Sequence, residues 1–269
     1  MITKKSLGQH FLKSNKALRT IIEAGKVYQN NTIIEIGPGT GVLTEKLLET
    51  GAKVIAVEKD DNLFKLLEQK FEKEIINRKL ELIHGDILEF NLAKLATKTY
   101  KLIANIPYNI TGGILKKFLE THRQPEKIVL LVQKEVAERI IARNNKESIL
   151  SISVKAYGTP EYIETVKAGS FVPAPKVDSA IIAIGNISKN FFQSASWRIS
   201  EKEFFEIVRS GFKSKRKKLS SNLATMFPKD NVQKIFQKIN LDDNIRAEDV
   251  KTETWKKLAT LLLGSPTSK

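Results

Sequence analysis

Thr32-Ile33-Ile34-Glu35-Ile36-Gly37-Pro38-Gly39-Thr40-Gly41 runs from a β-branched apolar stretch into three glycines spaced two apart. The stretch predicts a buried strand and the glycines a tight turn, since glycine adopts positive φ without a steric penalty. Apolar residues then recur at helical spacing from Leu43 to Leu48. A strand, glycine turn and helix in this order brings main-chain amides to the strand's carboxyl end, where a ligand can approach closely. Read alone, the glycines suit an ordinary turn equally well. Their Gly-x-Gly-x-Gly spacing departs from the dinucleotide Gly-x-Gly-x-x-Gly, and Pro38 stiffens the loop.

The alternation continues outward from this unit. Lys53 to Val57, Leu80 to Ile83, Tyr100 to Ala104 and Lys127 to Val132 read as further strands, with helical spacing at Leu43–Leu48, Leu63–Leu67 and Lys134–Ala142. Repeated strand and helix predict a doubly wound α/β domain with a mostly parallel sheet. Ile149 to Tyr157 stays open, because its alternating apolar residues suit a strand while it lies just after a helix. Tyr162 to Val166 and Ala180 to Ile184 read as strands on either side of Phe171-Val172-Pro173-Ala174-Pro175-Lys176-Val177-Asp178-Ser179, where two prolines exclude helix and central strand. Polar, irregular sequence from Gly185 to Ser200 suggests a boundary, giving domains 1-190 and 191-269. The second reads helical. Ser200 with Glu203 forms a capping box, and a last helix sets Trp255, Leu258 and Leu262 on one face before Gly264 and Pro266.

A chain of 269 residues, 41% hydrophobic, suffices for one α/β core and a small second domain. No apolar run approaches the roughly 20 residues that span a bilayer, and the basic N-terminus lacks an apolar leader, so a cytoplasmic protein with no membrane contact is expected. With no cysteine and three scattered histidines, His10, His84 and His122, no metal site is expected. The net charge of +15 favours a polyanionic partner, nucleic acid first. Lys213, Lys215, Arg216, Lys217 and Lys218 concentrate that charge, although such clusters also occur on solvated faces.

Three acids or amides fall at the carboxyl ends of successive strands, the edge where open α/β sheets bind ligands. Glu58 ends the second strand, where a carboxylate accepts both ribose hydroxyls of a nucleoside; a solvated strand-end acid is the plainer reading. Asp86, after the third strand, is placed to accept from an adenine amino group. Asn105-Ile106-Pro107-Tyr108 follows the fourth. An adenine amino lone pair is delocalised into the ring and is a poor nucleophile. If Asn105 Oδ1 and the Ile106 carbonyl accept its two hydrogens, electron density moves to nitrogen and is aimed at a methyl donor. Pro107 fixes the turn, and Tyr108 offers a face for an extruded base. The plainer reading is a polar turn with a core tyrosine.

Taken together, the motifs resemble the S-adenosylmethionine-dependent ribosomal RNA adenine dimethyltransferases. They include Leu7-Gly8-Gln9-His10-Phe11-Leu12, the Gly37 loop, Glu58, Asp86, Asn105 to Ile110, Gln133 to Val136, Phe171 to Ser179, Arg216-Lys217-Lys218 and Arg246-Ala247-Glu248, and so span nearly the whole chain. The resemblance implies a Rossmann-like class I methyltransferase domain of about seven strands and a small C-terminal helical domain that binds RNA or the ribosome. It implies that S-adenosylmethionine is bordered by His10 and Leu12, approached by Gly37 and Gly39 and held by Glu58, Asp86 and Asn105. Phe171 would stack on the target base opposite Tyr108, or be a core aromatic. Lys213, Lys215, Arg216, Lys217, Lys218 and Arg246 would meet RNA. The implied reaction is N6-dimethylation of two adjacent adenines near the 3′ end of small-subunit (16S) rRNA, by a monomer acting on an assembling 30S particle. A large-subunit dimethyltransferase of the antibiotic-resistance type, a non-catalytic assembly or transcription factor and a DNA adenine methyltransferase remain as alternatives.

Overall fold

The structure, a computed structural model, describes residues 10–95, 97, 99–194 and 197–264. Seven strands form one sheet: β1 Thr32–Ile36, β2 Lys53–Glu58, β3 Leu80–His84, β4 Lys101–Asn105, β5 Lys127–Gln133, β6 Thr159–Val166 and β7 Ser179–Gly185. Their spatial order is β3-β2-β1-β4-β5-β7-β6. The first five run parallel, while β7 is antiparallel to both β5 and β6. The expected doubly wound α/β architecture and its seven strands are therefore present.

Buried on both sides, β1, β4, β5 and β7 are almost continuous apolar sequence rather than alternating. One layer of the core joins Leu18 and Ile21 of helix Asn15–Gly25 and Leu43 and Leu47 of helix Val42–Glu49 to Ile33, Val54, Ile103 and Val129 of the sheet. The first helix is capped by Ser14, whose side chain accepts from Ala17 N. Gly41 has φ +78°, and a Cβ there would sit 2.5 Å from the Phe71 ring, so helix Val42–Glu49 docks closely only because the residue before it lacks a side chain.

The chain divides into two compact units, one of Met1–Ala137 and Thr159–Ile187, the other of Glu138–Gly158 and Ser188–Lys269. The linear boundary expected at 190/191 thus leaves out the segment 138–158, which joins the C-terminal unit. Within that unit Tyr157 packs its ring near Phe192 and Phe205, and Lys146 pairs with Glu248 and Asp249. Ile149–Lys155, left open between strand and helix, is a helix. Ser148 and Ser151 close a reciprocal capping box at its start, a local signal that overrides the alternating pattern. The Ser200–Glu203 capping box starts helix Glu201–Gly211, and Trp255, Leu258 and Leu262 are buried on helix Thr252–Gly264 as expected. Pro266 lies outside the described residues.

One pairing has no counterpart in the local sequence. Phe11–Leu12 forms a two-residue strand antiparallel to Phe171–Val172, with Leu12 opposite Phe171. Replacing Gly41 by alanine should cost about 3 kcal/mol, from the positive φ and the clash with Phe71 together. Urea denaturation checks this, and a loss under about 1 kcal/mol would show that the ring moves aside freely.

Candidate active site

Strand order reverses between β1 and β4, and a crevice opens where the connections leave in opposite directions. The cavity there is lined from the Gly37 loop, the ends of β1, β2 and β4, the turn after β3, and His10 to Leu12. It gathers His10, Leu12, Gly37, Gly39, Glu58, Asp86, Asn105, Ile106, Pro107 and Tyr108, every expected site residue of the first unit except Phe171.

Gly37 has φ +61°, and a Cβ there would meet nothing within 4 Å. Its main chain faces open space and is free for close approach. Glu58 is buried, with Oε2 accepting from Gly39 N at 3.1 Å and Oε1 from Asp60 N at 2.8 Å. Burial raises its pKa while those amides pull it back. Each oxygen keeps a lone pair for a donor entering the cavity. Asp86 accepts from Lys59 Nζ and from Leu88 N, both at 2.8 Å. The Lys59 contact foremost holds its carboxyl below the usual range, so Asp86 remains an ionised acceptor.

Asn105 ends β4, and its Nδ2 donates to the His10 carbonyl at 3.1 Å. That bond settles which way the amide faces, since the donor end is spent on main chain and Oδ1 is left as an acceptor. Ile106 is buried, and Tyr108 to Ile110 form a single 3-10 turn after Pro107. Tyr108 is half-buried, its hydroxyl 2.8 Å from Ser179 Oγ and its ring stacked against His10 at a centroid distance of 5.9 Å. His10 Nδ1 lies 2.8 Å from the Pro173 carbonyl.

Phe171 is the exception. It is 2% exposed, does not line the cavity and belongs to the core cluster with Leu12, Val166 and Ile181. Its pairing with Leu12 turns the ring inward, so in this structure Phe171 packs as a core aromatic and does not line the cavity with Tyr108. Leu7, Gly8 and Gln9 lie outside the described residues.

Two charged lining residues were given no role from the sequence. Glu35 is 1% exposed with Oε2 unpartnered, and its signal was an acid inside an otherwise apolar strand. Lys59 had no sequence signal, because its reach to Asp86 depends on the β2–β3 register. In the second unit, Lys213, Lys215, Arg216, Lys217, Lys218 and Arg246 are all exposed. Asn222 pins the turn by donating to the Gly211 and Ser214 carbonyls, and Leu219 N donates to the Ile245 carbonyl, which brings Arg246 beside the run. None of these six cations is ion-paired among the described residues. Among those residues there is also no cluster of three acids or histidines fit for a metal ion, and no helix long and apolar enough to cross a membrane.

A family model described as ribosomal RNA adenine dimethylase matches residues 2–262. The chain belongs to the ribosomal RNA adenine dimethylase family. It is 40% identical over 267 residues, 98% of its own length and 89% of the relative's, to ribosomal RNA small subunit methyltransferase A of Dehalococcoides mccartyi. The protein of that name from a Nostoc species is 39% identical, covering 96% of this chain and 97% of its own. A crystal structure of a dimethyladenosine transferase from Plasmodium falciparum superposes with a TM-score of 0.78 at 27% identity, over 93% of this chain and 96% of that one. In this dimethylase-family chain the crevice is thus built by motifs that lie inside the matched span.

Burial raises the Glu35 pKa from 4.5 to about 8. Between those values the folded protein keeps a proton that the unfolded chain has lost, so stability should fall as pH rises through this window. Thermal melts of the ligand-free protein should show that decline, at most about 1.4 kcal/mol per pH unit, and Glu35→Gln should flatten it. Identical slopes for the two proteins would exclude a buried neutral Glu35.

Proposed function

We infer that this protein transfers methyl groups from S-adenosylmethionine to the N6 amino groups of adenines in small-subunit ribosomal RNA. The observation that carries the reading is the Asn105 amide, which lines the crevice with Gly37 and is anchored by Nδ2 to the His10 carbonyl, leaving Oδ1 free to accept. The family membership and the names of the relatives point the same way.

The residues present fit the cofactor chemically. Glu58 offers acceptor atoms to ribose hydroxyls, Asp86 an acceptor to the purine amino group, Gly37 and Gly39 an open main chain to the methionine part, and His10 and Leu12 a border. S-adenosylmethionine, when bound, supplies an electrophilic methyl group on a sulfonium. Asn105 Oδ1 and the Ile106 carbonyl accept the two hydrogens of the target amine and align its lone pair. The chain's part in the transfer would be to hold the amine nitrogen in line with the donor methyl, with Asn105 and Ile106 setting its direction. The ammonium product is acidic and loses its proton to solvent, so no general base has to act first.

The finer reading is two dimethylated adenines, neighbours near the 3′ end of 16S rRNA, modified in the cytoplasm by a monomer during 30S assembly. The unpaired cations at 213, 215 to 218 and 246 supply contacts to RNA phosphates. Nucleoside mass spectrometry after incubation with separate small- and large-subunit RNA should find dimethyladenosine in the small-subunit RNA; dimethyladenosine confined to the large-subunit RNA would overturn the choice. Asn105→Ala should lower the methylation rate about a hundredfold or more, by analogy with removing one preorganised polar group at a reacting centre. Full activity in that variant would remove Asn105 from the mechanism. Changing Lys215, Arg216 and Lys217 together to alanine should reduce the slope of log affinity against log salt by about 2, at roughly 0.7 per single-strand phosphate contact. An unchanged slope would place the RNA elsewhere.

A further inference from the structure

Tyr108 stands on a single 3-10 turn after Pro107, a short loop that packing alone holds weakly. Two contacts from distant parts of the chain fix it. The His10 ring lies nearly parallel to it, with 22° between the planes and 5.9 Å between centroids, and flanks one face. At the far end of the ring the hydroxyl meets Ser179 Oγ at 2.8 Å.

Ser179 is an unusual neighbour for that task. It is fully buried at the start of β7, where the residues that follow, Ala180 to Ile184, are all apolar. Its main chain is paired on one side with Gln133 of β5 and on the other with Val166 of β6, so the position of Oγ is set by three strands rather than by a loop. A hydroxyl held in a buried strand is a fixed point, and the Tyr108 hydroxyl is its bonding partner. Burial of the tyrosine hydroxyl raises its pKa, so the contact joins two neutral groups.

We propose that Ser179 is a positioning residue for methyl transfer: its hydroxyl fixes the tilt of the Tyr108 ring, so that the face away from His10 receives the target adenine in register with Asn105. The proposal rests on the functional reading above and gives the two ends of Phe171 to Ser179 separate tasks. Phe171 anchors the segment in the core, and Ser179 carries its effect to the site through Tyr108. Because stacking tolerates many bases but depends on ring orientation, a loosened tyrosine still binds RNA while presenting the amine off line.

The test is a double-mutant cycle of Ser179→Ala and Tyr108→Phe, read as single-turnover methylation of small-subunit RNA, with cofactor affinity measured by calorimetry. Each single change should lower the rate about tenfold, the equivalent of one hydrogen bond, with cofactor affinity within about twofold of wild type. The double variant should be no slower than either single one. Losses that multiply in the double variant would show that Ser179 acts without Tyr108 and overturn the proposal. Tyr108→Phe at full rate would overturn it as well, and does so even if Ser179→Ala fails to fold. Wild-type protein that leaves adenine unmethylated would overturn the functional reading itself, whereas an active wild type with independent losses removes only the role of Ser179.

Discussion

Parallel pairing of β1 with β4, in the register Ile33 to Lys101 through Glu35 to Ile103, is the constraint on which the rest depends. Strands β1 to β3 are added in one direction and β4 starts again on the other side of β1, so the connections above these two strands diverge. That divergence leaves a gap at the carboxyl edge that no helix can fill. Each strand that ends there delivers one polar group into the gap: Glu35, Glu58, Asn105 and, one turn beyond β3, Asp86. The site is therefore a consequence of sheet order, and its precision is that of hydrogen-bonded strands.

Placing two carboxyl groups in this edge is costly for folding. Burial drives the pKa of Glu35 to about 8 and that of Glu58 upward as well, and Glu35 Oε2 has no partner. An apolar pair would be more stable there. Acceptors retained against that cost make sense where a ligand brings donors, and ribose hydroxyls and an ammonium are donors of that kind. Asp86 is the contrast, since Lys59 keeps it ionised nearer the surface. One crevice thus holds a deep acid kept neutral, Glu35, and a shallower one kept ionised, Asp86.

The legible part of the fold was what short windows encode. Apolar, β-branched runs gave six strands within a residue or two, most plainly β1, β4, β5 and β7, which are buried on both faces. The Gly37 loop, Glu58, Asp86 and Asn105 were found because strand ends are visible in sequence and each lies at one. Contacts across great chain separation were not visible. Nothing local says that Leu12 pairs with Phe171, and without that pairing Phe171 reads as an aromatic free to stack; with it, the ring turns into the core. The recruitment of Glu138–Gly158 into the second unit rests likewise on Tyr157 and Lys146 meeting partners from beyond residue 190. At Ile149 the apolar alternation misled because Ser148 and Ser151 satisfy the helix start, a one-turn effect stronger than a weak periodicity.

Under the proposed reaction, the groups nearest the target amine would serve direction rather than proton affinity. Asn105 and the Ile106 carbonyl do not titrate, and a tyrosine whose pKa is raised stays neutral. An amine that sheds its proton only after attack asks for this, because a strong base beside it would gain nothing in the bond-forming step. What the step requires is that a planar, delocalised amine be turned to within a narrow cone of the methyl donor. The two side chains that would set this direction stand at the last residue of β4, Asn105, and three residues beyond it, Tyr108. Each is then tied to a distant segment, Asn105 to the His10 carbonyl and Tyr108 to Ser179. The paired strands Phe11–Leu12 and Phe171–Val172 hold those two segments together from the core.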